Sequence, residues 1–125
     1  DTMSASATSG MLGKLLTDLG KIGDVEASAV GTRDGLLMNA DMHNMGDPET
    51  FVAMSATMLG AAETAATELD KGIPNRVIVE ADDGKLICMG AGPKALLVVM
   101  TAPEAGLGLV LVEMVKAAEK IGKLI

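Results

Sequence analysis

The chain has 125 residues, of which 49% are hydrophobic, with a formal charge of −7, one aromatic residue, one cysteine and ten methionines. That is enough apolar material for one domain with a real core, and too little length to hold a second comfortably. Only Arg33 and Arg76 carry guanidinium groups; with no basic stripe for phosphates and no set of rings for stacking bases, nucleic acid is excluded as a partner, and acidic membranes are disfavoured.

A lone cysteine makes neither an internal disulfide nor a cysteine metal cluster, and fits a reducing compartment. The N-terminus lacks the charged-then-apolar pattern of a secretory leader, and no uninterrupted apolar run is long enough to span a bilayer. The expectation is a soluble, cytoplasmic protein without membrane insertion.

Residues 1–8 are small and polar and read as a flexible lead-in, leaving 9–125 as the domain. From Ser9, Met11, Leu12, Leu15, Leu16, Leu19 and Ile22 recur at helical spacing, with Gly20 and Gly23 marking the exit. Glycines at positions 10, 13 and 20 weaken this helix, so docking must hold it. Val25 to Thr32 alternates like a strand, Arg33-Asp34-Gly35 supplies turn chemistry, and Leu36 to Ala40 runs back, giving a β-hairpin. The polar connector from Asp41 to Gly46 contains His43, read as a solvated loop residue because no second ligand or base motif accompanies it.

The segment from Asp47 to Lys71 is the organising element. Asp47 provides an N-cap oxygen, Pro48 suits the first turn and Glu49 complements the dipole. Phe51, Met54, Met58, Ala62, Ala65 and Leu69 fall on one side and are expected to face the core, flanked by Val52, Leu59, Ala61 and Ala66. The other side carries Ala53, Ala56, Thr57, Gly60, Thr64 and Thr67, where a surface helix normally has Lys, Glu and Arg. Glu63 and Glu68 are the only charges between Phe51 and Leu69. Small outward side chains allow another backbone to come close, so the helix is expected to pack on its own sheet and against a second protein surface.

Beyond Gly72, a β-branched run from Arg76 to Ala81 reads as the third strand, Asp82-Asp83-Gly84 as a turn, and Lys85 to Gly90 as the fourth strand. A turn at Ala91-Gly92-Pro93-Lys94 leads into a fifth strand, Ala95 to Ala102, and Leu107 to Leu124 forms a last helix with Glu113, Lys116, Glu119, Lys120 and Lys123 on its wet side. The order α-β-β-α-β-β-β-α with tight hairpins predicts an α+β fold, a five-stranded antiparallel sheet with helices on both faces. Apolar residues on both sides of the third and fifth strands fit that double covering.

Catalytic chemistry finds no foothold. Cys88 lies within an apolar strand and reads as a buried, inert thiol. Gly90-Ala91-Gly92-Pro93-Lys94 lacks the full phosphate-loop spacing and precedes a strand, and Gly106-Leu107-Gly108 reads as an entry to the last helix. Asp82 and Asp83 supply too few oxygens for calcium. Arg33 and Arg76 read as surface or interface charges rather than transition-state fingers. No catalytic, cofactor-binding or metal-binding residue is assigned. A small-ligand sensor or enzyme would instead require a preformed cavity with converging polar groups, for which few candidates stand out.

Several short motifs gain meaning from their order and spacing: Gly23-Asp24-Val25-Glu26-Ala27, Thr32-Arg33-Asp34-Gly35-Leu36, Phe51-Val52-Ala53-Met54-Ser55-Ala56, Asp83-Gly84-Lys85-Leu86 and Leu107-Gly108-Leu109-Val110. Together, from Met11 to Leu124, they resemble the Roadblock/dynein light-chain family, including its prokaryotic MglB-like members. The resemblance implies a profilin-like αβ sandwich that forms a homodimer by joining third strands into one continuous sheet, with central helices antiparallel. Arg76, Val77, Ile78, Val79 and Glu80 would form the pairing edge, and Val52, Ala56, Leu59, Gly60, Glu63 and Thr67 would line or border the seam. Ala53, Thr57 and Thr64 would be left for a partner. It further implies a non-enzymatic, cofactor-free scaffold that binds a small Ras-like GTPase and modulates its nucleotide cycle, or alternatively an assembly adaptor that leaves GTP turnover unchanged.

Overall fold

A computed structural model describes residues 5–43 and 46–125. The eight elements run α1 (Ala5–Gly20), β1 (Val25–Thr32), β2 (Leu37–Met42), α2 (Pro48–Glu68), β3 (Arg76–Ala81), β4 (Gly84–Ala91), β5 (Ala95–Thr101) and α3 (Leu107–Leu124). The predicted order is the observed one. α1 begins at Ala5, so part of the expected lead-in is helical, while residues 1–4 lie outside the described ones. β2 starts one residue later than its sequence pattern and continues to Met42.

The sheet is antiparallel throughout, in the order β2-β1-β5-β4-β3. β5 sits at its centre with nearly every residue buried, as an apolar run covered on both sides must be. α1 and α3 cover one face, where Leu12, Leu16, Val30, Ile87, Leu97, Val99, Met114 and Ile121 make the larger core. α2 covers the other, over Ala29, Val52, Leu59, Cys88, Leu96 and Val98. The pleat assigns alternate residues of each strand to these two cores.

β3 departs from expectation. It is an edge strand, with Ile78 and Val79 exposed to 37% and 38%, so the apolar residues on its two sides are only partly covered. The sequence pattern cannot distinguish a strand covered by its own helices from one that awaits an external cover.

Two close approaches fix the layers. A register shift in the β1–β2 ladder falls at Val30/Gly31, and a Cβ on Gly31 would collide with Val52 of α2 while lying 2.9 Å from the Leu36 carbonyl oxygen. At the β4–β5 turn Gly92 adopts a φ of +75°, and a Cβ there would lie 2.9 Å from Gly122 Cα. The end of α3 thus docks backbone against backbone on that turn. No described helix is long and apolar enough to cross a membrane.

Candidate functional site

Local chemistry starts α2 as the sequence predicts. Asp47 accepts from the Glu49 N–H at 3.1 Å and from Thr50 Oγ1 at 2.9 Å, with Pro48 in the first turn. The rotation of the helix differs from expectation. Its buried residues are Phe51, Val52, Ser55 and Leu59, whereas Met54 is 64% exposed and Leu69 is 70% exposed. Ser55 explains the turn: its hydroxyl donates to the Phe51 carbonyl at 2.8 Å, so a nominally polar residue enters the core already satisfied. Val52 and Leu59 are therefore in the core of their own chain and hold α2 on the sheet.

The outward face carries Ala53, Met54, Thr57, Gly60, Ala61, Thr64 and Ala65, and its charges are confined to the two ends of the helix, Glu49 in the first turn and Glu68 in the last. Thr57, Thr64 and Thr67 donate their hydroxyls to the carbonyls of Ala53, Gly60 and Glu63 at 3.0, 3.1 and 2.8 Å. With those donors satisfied inside the helix, the face can be stripped of water at little polar cost. Space above Gly60 is open.

α2 crosses the sheet and touches all five strands, β3 included. In β3, Val77 is half-buried on the α2 side and pairs with Cys88, while Arg76, Ile78, Val79 and Glu80 are exposed. One side of β3 pairs with β4 and the other has no strand among the described residues. An unpaired apolar edge of this kind is a template for another strand.

Beside α2 lies a charged cluster that the sequence did not reveal. Arg33 Nη1 donates to Glu63 Oε2 at 3.2 Å and Nη2 donates to the Gly92 carbonyl at 2.8 Å. Gly90 makes room, since a Cβ there would collide with the guanidinium. Ala56 and Gly60 share with Arg33 and Glu63 a cleft of about 320 Å³. Glu63, expected only at the seam, is thus tied to the β1–β2 turn. The one available signal was weak: an arginine in a hairpin turn, with a glycine on a strand that it could cross.

Cys88 is buried, as expected, and its Sγ lies 3.7 Å from the Ser55 carbonyl. Burial pushes its thiol up to about 11, against the opposing pull of Arg33, which leaves no thiolate for nucleophilic chemistry. Gly90 and Ala91 end β4, and Gly92 to Lys94 turn the chain into β5, not into a helix. Among the described residues no group of three or more His, Cys, Asp or Glu is placed to hold a metal ion. The arrangement is suited to docking.

Known proteins share this fold. A model of the Roadblock/LC7 domain matches residues 11–101. An uncharacterised protein of Methanocaldococcus jannaschii is 34% identical over 111 residues, covering 89% of this chain and 96% of that protein. A solved MglB with a tetrameric arrangement superposes with a TM-score of 0.85 at 19% identity, covering 94% of this chain and 90% of that one. The gliding protein MglB of Thermus thermophilus gives 0.81 at 16% identity over 99% and 93% of the two chains. The architecture extends to a profilin of Schizosaccharomyces pombe, with a TM-score of 0.62 at 12% identity over 89% and 93%.

Proposed function

The chain belongs to the Roadblock/LC7 family, and from that premise we propose that it acts as a homodimeric, non-enzymatic platform that binds a small Ras-like GTPase and modulates its nucleotide cycle. The observation that carries this reading is the outward face of α2, free of charge from Ala53 to Ala65, above an unpaired β3 edge. Two copies join through β3 into a ten-stranded sheet and set their α2 helices side by side, with Ala56, Gly60, Glu63 and Thr67 at or near the seam. Val52 and Leu59 support that seam from beneath. Ala53, Thr57 and Thr64 form the surface offered to the GTPase, whose own groups perform the hydrolysis.

An antiparallel β3 pair centred on Ile78 places Arg76 opposite Glu80 of the partner subunit, once on each side of the two-fold. Strand pairing through identical edges is isologous and closes after two copies, which removes the aggregation hazard of an open edge.

Light scattering on the wild type and on Gly60→Glu tests the assembly. The wild type is expected to be dimeric at micromolar concentration. Gly60→Glu is expected to be a folded monomer, because glutamate is the better helix former and meets open space in the single chain. A monomeric wild type would remove the basis of the platform. GTP hydrolysis by a Ras-like GTPase from the same organism, measured with and without the dimer, tests the second half. A changed rate supports regulation, and an unchanged rate assigns the protein to the adaptor class.

A further inference from the structure

The converging polar groups that a small-ligand site needs are present on the face of the sheet away from α2. A cavity of about 520 Å³ opens between the end of α1 and the β1–β2 hairpin, and its polar wall is made by Thr17, Lys21, Glu26, Ser28, Asp41 and His43. That volume lies within the usual range for small-molecule sites. Ser28 and Asp41 are direct cross-strand partners, so the pleat sends both side chains to the α1 side of the sheet. Gly20 lies against Asp41, its missing Cβ leaving the position 3.0 Å from Oδ2 unfilled.

Two features define what the cavity would hold. Ser28 is 1% exposed, and its hydroxyl has no hydrogen-bond partner within the protein. A buried hydroxyl in that state is costly unless something meets it. The second feature is charge. Lys21 Nζ is drawn to Asp18 at 3.4 Å, and His43 Nε2 lies 2.9 Å from Asp41 Oδ1, leaving Oδ2 and the Glu26 carboxylate as acceptors. The C-terminal end of α1 adds further negative potential.

We propose that this cavity binds a small primary ammonium compound with an oxygen close to its nitrogen. The ammonium donates to Asp41 Oδ2 and Glu26, and the neighbouring oxygen accepts from Ser28 Oγ. The size of the cavity admits a body of amino-acid dimensions. This site does not depend on the platform reading, because its walls come from α1, β1 and β2 and none from α2 or β3.

Ethanolamine is the minimal probe, titrated into the full-length chain and followed by backbone amide shifts, with acetate and ethylene glycol as charge controls. Saturable shifts confined to Gly20, Lys21, Ser28 and Asp41 are expected with ethanolamine alone. Asp41→Asn and Glu26→Gln should each weaken binding roughly tenfold, the loss of one charge-assisted contact. Ser28→Ala should weaken it as well, without lowering the melting temperature. The exposed Glu26 keeps the test open if Asp41→Asn fails to fold. No localised shift, or equal shifts with acetate, overturns the proposal and leaves water as the occupant. Neither result bears on whether the protein dimerises or alters GTP turnover.

Discussion

At Gly31 the central helix packs so closely on β1 that no side chain fits there. The missing Cβ is what lets Val52 sit on β1. Gly31→Ala is expected to destabilise the fold by about 1–3 kcal/mol, as overpacking does, measured by urea denaturation. Gly10→Ala, inside α1 with open space around it, should instead stabilise by about 0.5–1 kcal/mol. Both glycines are plain in the sequence, yet only the structure gives their substitutions opposite signs. Cys88 was legible from its apolar neighbours alone.

The thiol also yields a pH dependence. Its folded value of about 11 stands above the ordinary 9.0, so the folded state holds the proton more tightly. The resulting stability is complete below pH 9 and is lost as pH rises from 9 towards 11, amounting to about 2–3 kcal/mol. Cys88→Ala should lack this component of the alkaline loss. Comparing melts of the two proteins between those pH values checks it. Iodoacetamide should leave the native thiol unmodified at pH 8 and label it once urea unfolds the chain.

Among the elements, α2 has the most legible ends and the least legible face. The Asp47-Pro48-Glu49 signature located its start because capping chemistry is local. Its buried side is turned from the predicted one towards Val52, Ser55 and Leu59, because methionine looks like core and serine looks like surface until the Ser55 hydroxyl is seen to bond within the helix. Asp47→Ala removes two acceptor contacts and should cost about 1 kcal/mol, read as a lower urea midpoint with an unchanged slope. If the cap were incidental, the midpoint would not move. β3 illustrates the complementary difficulty. Its boundaries followed from β-branched residues and the Asp82-Asp83 turn, but its exposure depends on which strand ends the sheet, and no local pattern encodes that order.

At the scale of the assembled molecule, the two-fold pairing makes a sharp demand on charge. Arg76→Glu alone and Glu80→Arg alone each set like charges against one another twice and should weaken the dimer, by roughly 0.5–2 kcal/mol in total. The double exchange restores opposite charges and should recover most of the affinity, measured by sedimentation. Recovery would fix the register. Equal, additive weakening by both changes would rule out a pairing centred on Ile78. The Arg33–Glu63 cluster, by contrast, joins residues 30 positions apart and escaped the sequence reading for that reason.

The central contact of the sheet joins β1 to β5, whose paired residues lie more than sixty positions apart. During synthesis the first hairpin leaves the ribosome well before the strand that must flank it, a wait of roughly 3–15 s at ordinary elongation rates. For that interval the inner border of β1 has no mate. The nascent chain is thus most in need of chaperone shelter before its fifth strand emerges, and slowing translation between Gly72 and Ala95 should lower the soluble yield without changing the finished molecule.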